Sequence, residues 1–176
     1  MSTPERYHHG DLRRALIEAA LELIDERGLE CCTLREVTRR AGVSHAAPYH
    51  HFADRSALIE AVAAENLRLL AEALRRAGRR ARGGGDARLS ALGVAYVRFA
   101  AEHPFRFRML LRPEQRAGEG GEVRAGGLAI ESAFHGLAGL RLDGPLAART
   151  RPATAERLAR GVAATLRDGL RPATTD

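Results

Sequence analysis

The chain has 176 residues, enough for one compact domain or two small ones sharing a core. Hydrophobic residues make up 45% and charged residues 28%, which is the make-up of a folded globular protein and not of a disordered tail. No run of about 18 apolar residues occurs that would span a membrane, and the formal net charge of +6 rests on arginine alone, since the chain has no lysine.

So uniform an arginine bias has the look of coding preference, and arginine content by itself carries no functional argument. Its distribution says more. Residues 1–55 hold eight arginines against nine carboxylates, a net of −1, and the rest of the chain nets +7. Charge alone would therefore place a nucleic-acid surface in the C-terminal part; the motifs below point to the N-terminal part instead. The opening segment MSTPERYHHGDLRR has no apolar core before a small-residue cleavage site, so a cytoplasmic protein is expected. Cys31 and Cys32 are adjacent and cannot build a disulfide framework.

Apolar residues recur at helical spacing almost throughout, and no alternating strand pattern of useful length appears, so the fold class is all-α. Leu12, Ala15, Leu16, Ala19, Ala20, Leu23 and Ile24 form the stripe of a first helix, with Asp11 as its expected N-cap and Gly28 as its expected left-handed end. Thr33-Leu34-Arg35-Glu36 fits a capping box, with Glu36 expected to reach back to the Thr33 amide. Leu34, Val37 and Ala41 give this second helix a short apolar face, and Gly42 ends it. Ser44 is expected to cap a third helix running to about Phe52. Two short helices around a glycine-containing turn form the helix-turn-helix pattern.

Asp54 then caps a long helix to about Arg80, and Arg82-Gly83-Gly84-Gly85 breaks it. A helix over about 86–102 stops at His103-Pro104, because proline cannot continue the hydrogen-bond ladder. Short apolar helical structure is expected over 105–111, and a polar, glycine-rich loop over 112–121. Two further helices are expected over about 123–140 and 153–170.

A helix that reads DNA exposes its N-terminal residues to base edges while neighbouring groups clamp phosphates. The amides and hydroxyl at Thr33 can face a phosphate through the helix dipole. In the third helix, His45 with Tyr49 and Ala46 with His50 stand four residues apart and would line its outer face. His51 and Arg55 follow where a phosphate would pass, and Phe52 is expected to turn inward. Arg6, His8 and His9 precede the first helix and would suit an arm reaching toward DNA. The adjacent histidines lack metal-ligand spacing, and no nucleophile–base pair, phosphate loop or zinc pattern can be named, so neither an enzyme nor a cofactor is expected.

Residues 33–58, TLREVTRRAGVSHAAPYHHFADRSAL, resemble the DNA-binding module of the TetR/AcrR transcriptional regulators. The shared pattern is a capped helix, Ala41-Gly42-Val43-Ser44, the aromatic Tyr49, His51-Phe52, and a basic residue at Arg55 opening a long helix. With the preceding helix it covers about residues 8–69, leaving 70–176 for regulation, effector binding and dimerisation. The resemblance implies a homodimer whose recognition helices enter successive major grooves of a palindromic operator. It implies phosphate contacts at Thr33, Tyr49, His51 and Arg55, and base-facing positions at Ser44, His45, Ala46 and His50, with Ala47 on the same helix. Arg55 stands where the family usually has lysine, and Ala47-Pro48 where many members have threonine and leucine; Pro48 removes an early helical hydrogen bond.

Glu102 to Met109 and Phe134-His135-Gly136-Leu137-Ala138-Gly139-Leu140 are similar to a subgroup named for a Trp-His-Gly motif, with Phe134 in place of the tryptophan. That implies a dimer interface on the helices near 123–140 and 153–170. The family also implies a cavity for an apolar or amphipathic effector, walled by Leu67, Leu70, Phe99, Phe107, Met109 and Phe134. The contrasting reading of the N-terminal module is an architectural DNA binder without sequence preference. Such a protein wants a strongly basic module, and residues 33–55 net only +2.

Overall fold

The apolar stripe of the first helix becomes a buried seam in the computed structural model, which describes residues 9–110, 125–146 and 151–169. These form α1 (His9–Arg27), a 3-10 turn (Leu29–Cys31), α2 (Leu34–Ala41), a second 3-10 turn (Ala47–His50), α3 (Arg55–Arg80), α4 (Gly85–Glu102), α5 (Pro104–Met109), α6 (Ala125–Leu142) and α7 (Pro152–Gly169). Among the described residues there is no strand, and no helix is long and apolar enough to cross a membrane. The expected loop at 112–121 lies outside the described residues, as do Arg6 and His8.

Two compact units are present. Among the described residues the first takes 9–68 and 105–110, and the second takes 69–104, 125–146 and 151–169. All of α5 after Pro104 falls in the first unit.

In the first unit, Leu16, Ala20, Leu23 and Ile24 of α1 are fully buried, and Ile17 and Leu21 widen the seam beyond the expected stripe. The helix starts at His9, so Asp11 lies inside its first turn and not at the cap. Nothing in His9-Gly10 forbids helical dihedrals, and one carboxylate is too weak a signal to set the boundary. Gly28 has a positive φ of 83°, but its ψ of 171° is extended, not left-handed helical. The chain turns there directly into Leu29–Cys31, and a Cβ on Gly28 would come 3.4 Å from the Phe105 ring.

α2 packs on α1, and Arg40 ties the two by pairing with Glu22 (3.2 Å) and with both carboxylate oxygens of Glu26. The hydrogen bond from Arg40 holds the Glu26 carboxyl below its ordinary pKa. Phe107 and Met109 of α5 are buried. Arg106 pairs with Asp25 of α1 at 2.5 Å, and its carbonyl accepts Nδ2 of the fully buried Asn66 on α3 at 3.1 Å. These contacts explain why a six-residue helix far along the chain belongs to the N-terminal unit.

In the second unit α4 packs against α6 and α7. Ala155, Ala159 and Ala163 of α7 are all buried, and a seam of methyl groups lets helices approach closely. Phe134 of α6 lies against the backbone of Gly93, where a Cβ would collide with the ring. The next residue, His135, shares a 2.6 Å hydrogen bond between Nδ1 and the Tyr96 hydroxyl. Arg98 with Glu156 (2.6 Å) and Arg167 with Asp86 (3.4 Å) close the two ends of the α4–α7 pair.

Candidate nucleic-acid interface

The supporting helix of the interface is set by two local signals. Thr33 is the N-cap of α2, and its hydroxyl accepts the Glu36 amide at 3.2 Å. Gly42 ends the helix at φ 68°, ψ 29°, a left-handed conformation that suits glycine, and Val43 donates back to the Thr38 carbonyl at 3.1 Å. The buried Thr38 hydroxyl donates to the carbonyls of Leu34 and Arg35, so α2 carries no unsatisfied hydroxyl into the core.

The reciprocal half of the expected capping box is not made. The Thr33 amide donates to the Cys31 carbonyl at 3.0 Å, and the Glu36 carboxylate faces Arg39 (2.8 Å) and Arg27 (3.7 Å). The preceding 3-10 turn supplies the amide's acceptor, which frees Glu36 to pair with cations. The Arg39 hydrogen bond, then the charges of Arg39, Arg27 and Arg35, lower the Glu36 pKa.

The expected third α-helix from Ser44 to Phe52 is instead a turn followed by the four-residue 3-10 helix Ala47–His50, with no side-chain cap. Pro48 is the reason: it has no N–H to donate. Ala47 donates to the Ser44 carbonyl (3.1 Å), and the Pro48 carbonyl accepts both His51 (2.9 Å) and Phe52 (2.8 Å). Pro48 and Phe52 point into the core. Arg13 of α1 lies over the Phe52 ring at 5.4 Å.

With Pro48 and Phe52 inward, Ser44, His45, Ala46, Tyr49 and His50 are all exposed, and Ala47 and His51 are half-buried. Tyr49 stands out at 63% exposure. Thr33 is exposed on the same module. Arg55, at the start of α3, engages the first 3-10 turn: Nε donates to the Cys32 carbonyl at 2.8 Å and one Nη to the Leu29 carbonyl at 2.9 Å. It therefore joins the start of the long helix to the segment that leads into the Thr33 cap. Asp54 caps α3 as expected, accepting the Ala57 amide at 2.9 Å.

One exposed cation beside this surface is missing from the expected set. Arg39 and Arg40 are neutralised within the unit, whereas Arg35, two residues past the Thr33 cap, makes no ion pair among the described residues. The signal is present in the sequence: no carboxylate stands three or four residues from Arg35. Beneath the cap, Cys32 is buried and its thiol is pushed up to about 11 by burial, with the Arg55 charge opposing the shift, while Cys31 is exposed.

The six residues expected to wall an effector cavity are divided between the units. Leu67, Phe107 and Met109 lie in the first, where Phe107 and Met109 are core; Leu70, Phe99 and Phe134 lie in the second and are buried there. Phe99 alone among the six lines a groove of about 420 Å³ between the C-terminal half of α3 and α4, together with Ala77, Val94, Ala95 and the charged Arg76, Arg80, Arg98 and Glu102.

Residues 16–62, which span the whole helix-turn-helix, match the family described as bacterial regulatory proteins, tetR family. A protein of unknown function from Rhodococcus sp. RHA1 is 31% identical, with a TM-score of 0.75 over 96% of this chain and 100% of that one. A tetR-family transcriptional regulator from Streptomyces coelicolor shares the fold at 24% identity and a TM-score of 0.68, over 96% of this chain and 83% of that one. The TetR family transcriptional regulator PfmR from Thermus thermophilus does so at 23% identity and a TM-score of 0.55, over 90% of this chain and 96% of that one. A capped helix, a left-handed glycine, an exposed turn and a long helix, matched by the family model over residues 16–62, show that this chain carries the helix-turn-helix domain of the tetR family of bacterial regulatory proteins.

Proposed function

We propose that this protein is a homodimeric, ligand-responsive transcriptional repressor that binds a palindromic operator. In this reading residues 8–69 read the DNA, and residues 70–176 bind an effector and dimerise. Ser44, His45, Ala46, Ala47 and His50 face bases. Thr33, Tyr49, His51 and Arg55 contact phosphates, Arg55 through the nitrogen left over from its two carbonyl contacts, and Arg35 adds a further phosphate contact.

The observation that carries this reading is the exposed edge from Ser44 to His50 on a firmly capped support, with a tyrosine 63% exposed at its centre. An aromatic ring kept in water beside two exposed histidines suits a partner that offers phosphates and base edges. Dimerisation through α6 and α7 is supported by Leu140 and Leu158, which are 49% and 37% exposed, and by Gly136 and Gly139, which have open space where a side chain would stand. Effector and operator would prefer different members of a two-state equilibrium, so each would weaken the other reciprocally.

The test is selection of randomised duplexes by the purified protein at about 150 mM salt, where nonspecific phosphate contacts are weakened. Enrichment of an inverted repeat with half-sites about one helical turn apart supports the reading. Binding without enrichment would assign an architectural role, and absence of binding would remove the DNA-reading role.

A further inference from the structure

The groove between α3 and α4 is not part of the DNA-reading surface. At about 420 Å³ it falls within the range of about 300–1,000 Å³ typical of small-molecule sites. Its apolar lining includes the half-buried Ala77, Val94 and Ala95 and the buried Phe99, while its charged lining residues are exposed. Arg98 is committed to Glu156 at 2.6 Å and also feels the charge of Glu102.

Arg76 and Arg80 differ. They stand four residues apart on α3, both are exposed, and neither pairs with a carboxylate among the described residues. Like charges at this spacing repel. On α3 the one acid at helical spacing is Glu72, four residues before Arg76; Arg80 has none, because no acid occurs between Glu72 and Asp86, and Asp86 is engaged by Arg167 at 3.4 Å. Arg75, Arg79 and Arg82 are exposed nearby and add to the positive field.

The geometry points to a binding site for an amphipathic anion, with a carboxylate or phosphate head held by Arg76 and Arg80 and a short apolar chain lying along Ala77, Val94 and Phe99. This rests on the reading of the second unit as an effector domain and names the effector's chemical class. Guanidinium forks match carboxylate and phosphate oxygens, and an anion removes the repulsion between the two arginines. A neutral chain would leave that repulsion in place, and a cation would increase it.

Isothermal titration of the full chain without DNA tests this, using octanoate and octyl phosphate against octanol and octyltrimethylammonium. At least one anion is expected to bind, with octanol at least tenfold weaker and the cation silent; a preference between the two anions identifies the head. The double variant Arg76→Gln/Arg80→Gln is expected to weaken anion binding at least tenfold and leave octanol unchanged. Both sites are exposed and glutamine is a good helix former, so the variant folds. Octanol binding as tightly as the anions, anion affinity unchanged in the double variant, or no heat from either anion would each overturn the assignment. Because DNA is absent, failure here leaves the operator selection intact, and failure of that selection leaves this titration readable.

Discussion

Replacing Arg55 with glutamine separates two roles that this residue combines. Its guanidinium donates to the carbonyls of Cys32 (2.8 Å) and Leu29 (2.9 Å), tying the start of α3 to the turn before the Thr33 cap. Hydrogen bonds from a charged donor contribute about 1.5–3 kcal/mol each. Here the side chain is exposed and water can replace it, so about 1 kcal/mol each is the better figure, and about 2 kcal/mol for both. A cation in the first turn of a helix opposes the macrodipole, and its removal returns about 0.3–1 kcal/mol. The net loss is then about 1–2 kcal/mol, which for a chain of this size lowers Tm by roughly 2–8 °C. Thermal unfolding followed by circular dichroism reads this part. The proposed phosphate contact is read separately, as a fall of about 0.9 in the slope of log affinity against log salt. An unchanged Tm would refute the clamp, and an unchanged salt slope would refute the phosphate contact.

At Gly93, substitution by alanine gains about 1 kcal/mol of helix propensity but forces a Cβ into the Phe134 ring, 2.9 Å from Cδ1 and closer still to Cε1 and Cζ. Phe134 is buried with little room to retreat, so overpacking at the upper end of about 1–3 kcal/mol wins and the melting temperature falls. Phe134→Leu in the same background should recover part of the loss, and Gly93→Ala alone melting at or above the parent would refute the packing. Tyr49→Ala should weaken binding to operator and random duplex alike, whereas His45→Ala should change sequence preference by about 1–3 kcal/mol at one base pair; equal losses on both duplexes would remove His45 as a base reader. Iodoacetamide at pH 8 should label Cys31 and leave Cys32 unmodified, as mass spectrometry of the native protein would show. The Cys32 thiol is raised in the folded state from an ordinary 9.0 to about 11, so its contribution to stability is complete below pH 9 and lost as pH rises toward 11. Urea unfolding midpoints for the parent and Cys32→Ser, compared across that window, should converge as pH rises.

Signals that act within one turn of chain are readable before any fold is known. Thr33 caps α2, Gly42 ends it in a left-handed conformation, and Asp54 caps α3, because each depends only on dihedral preference and on an amide two or three residues away. The periodic apolar stripe of α1 is likewise legible, since burial follows helical spacing. The third helix of the reading module departs from expectation where two local rules compete: the spacing of His45, Ala46, Tyr49 and His50 suggests an α-helix, and the missing amide of Pro48 produces a 3-10 turn.

Contacts between residues distant in sequence are not legible. Arg106 pairs with Asp25 across 81 positions, Asn66 donates to the Arg106 carbonyl across 40, and Arg55 reaches Leu29 across 26. No periodicity encodes which carbonyl or carboxylate an arginine will meet, so the same residue type serves as a strut at Arg55 and Arg106 and as an exposed charge with no carboxylate partner among the described residues at Arg35, Arg76 and Arg80. By itself the sequence determined an all-α chain with a capped helix-turn-helix and the face that this module exposes. Tertiary structure alone decided that α5 belongs with the N-terminal unit, that only Phe99 among the six expected wall residues reaches the groove, and which arginines pair with a carboxylate among the described residues, because each of these depends on which helices pack together.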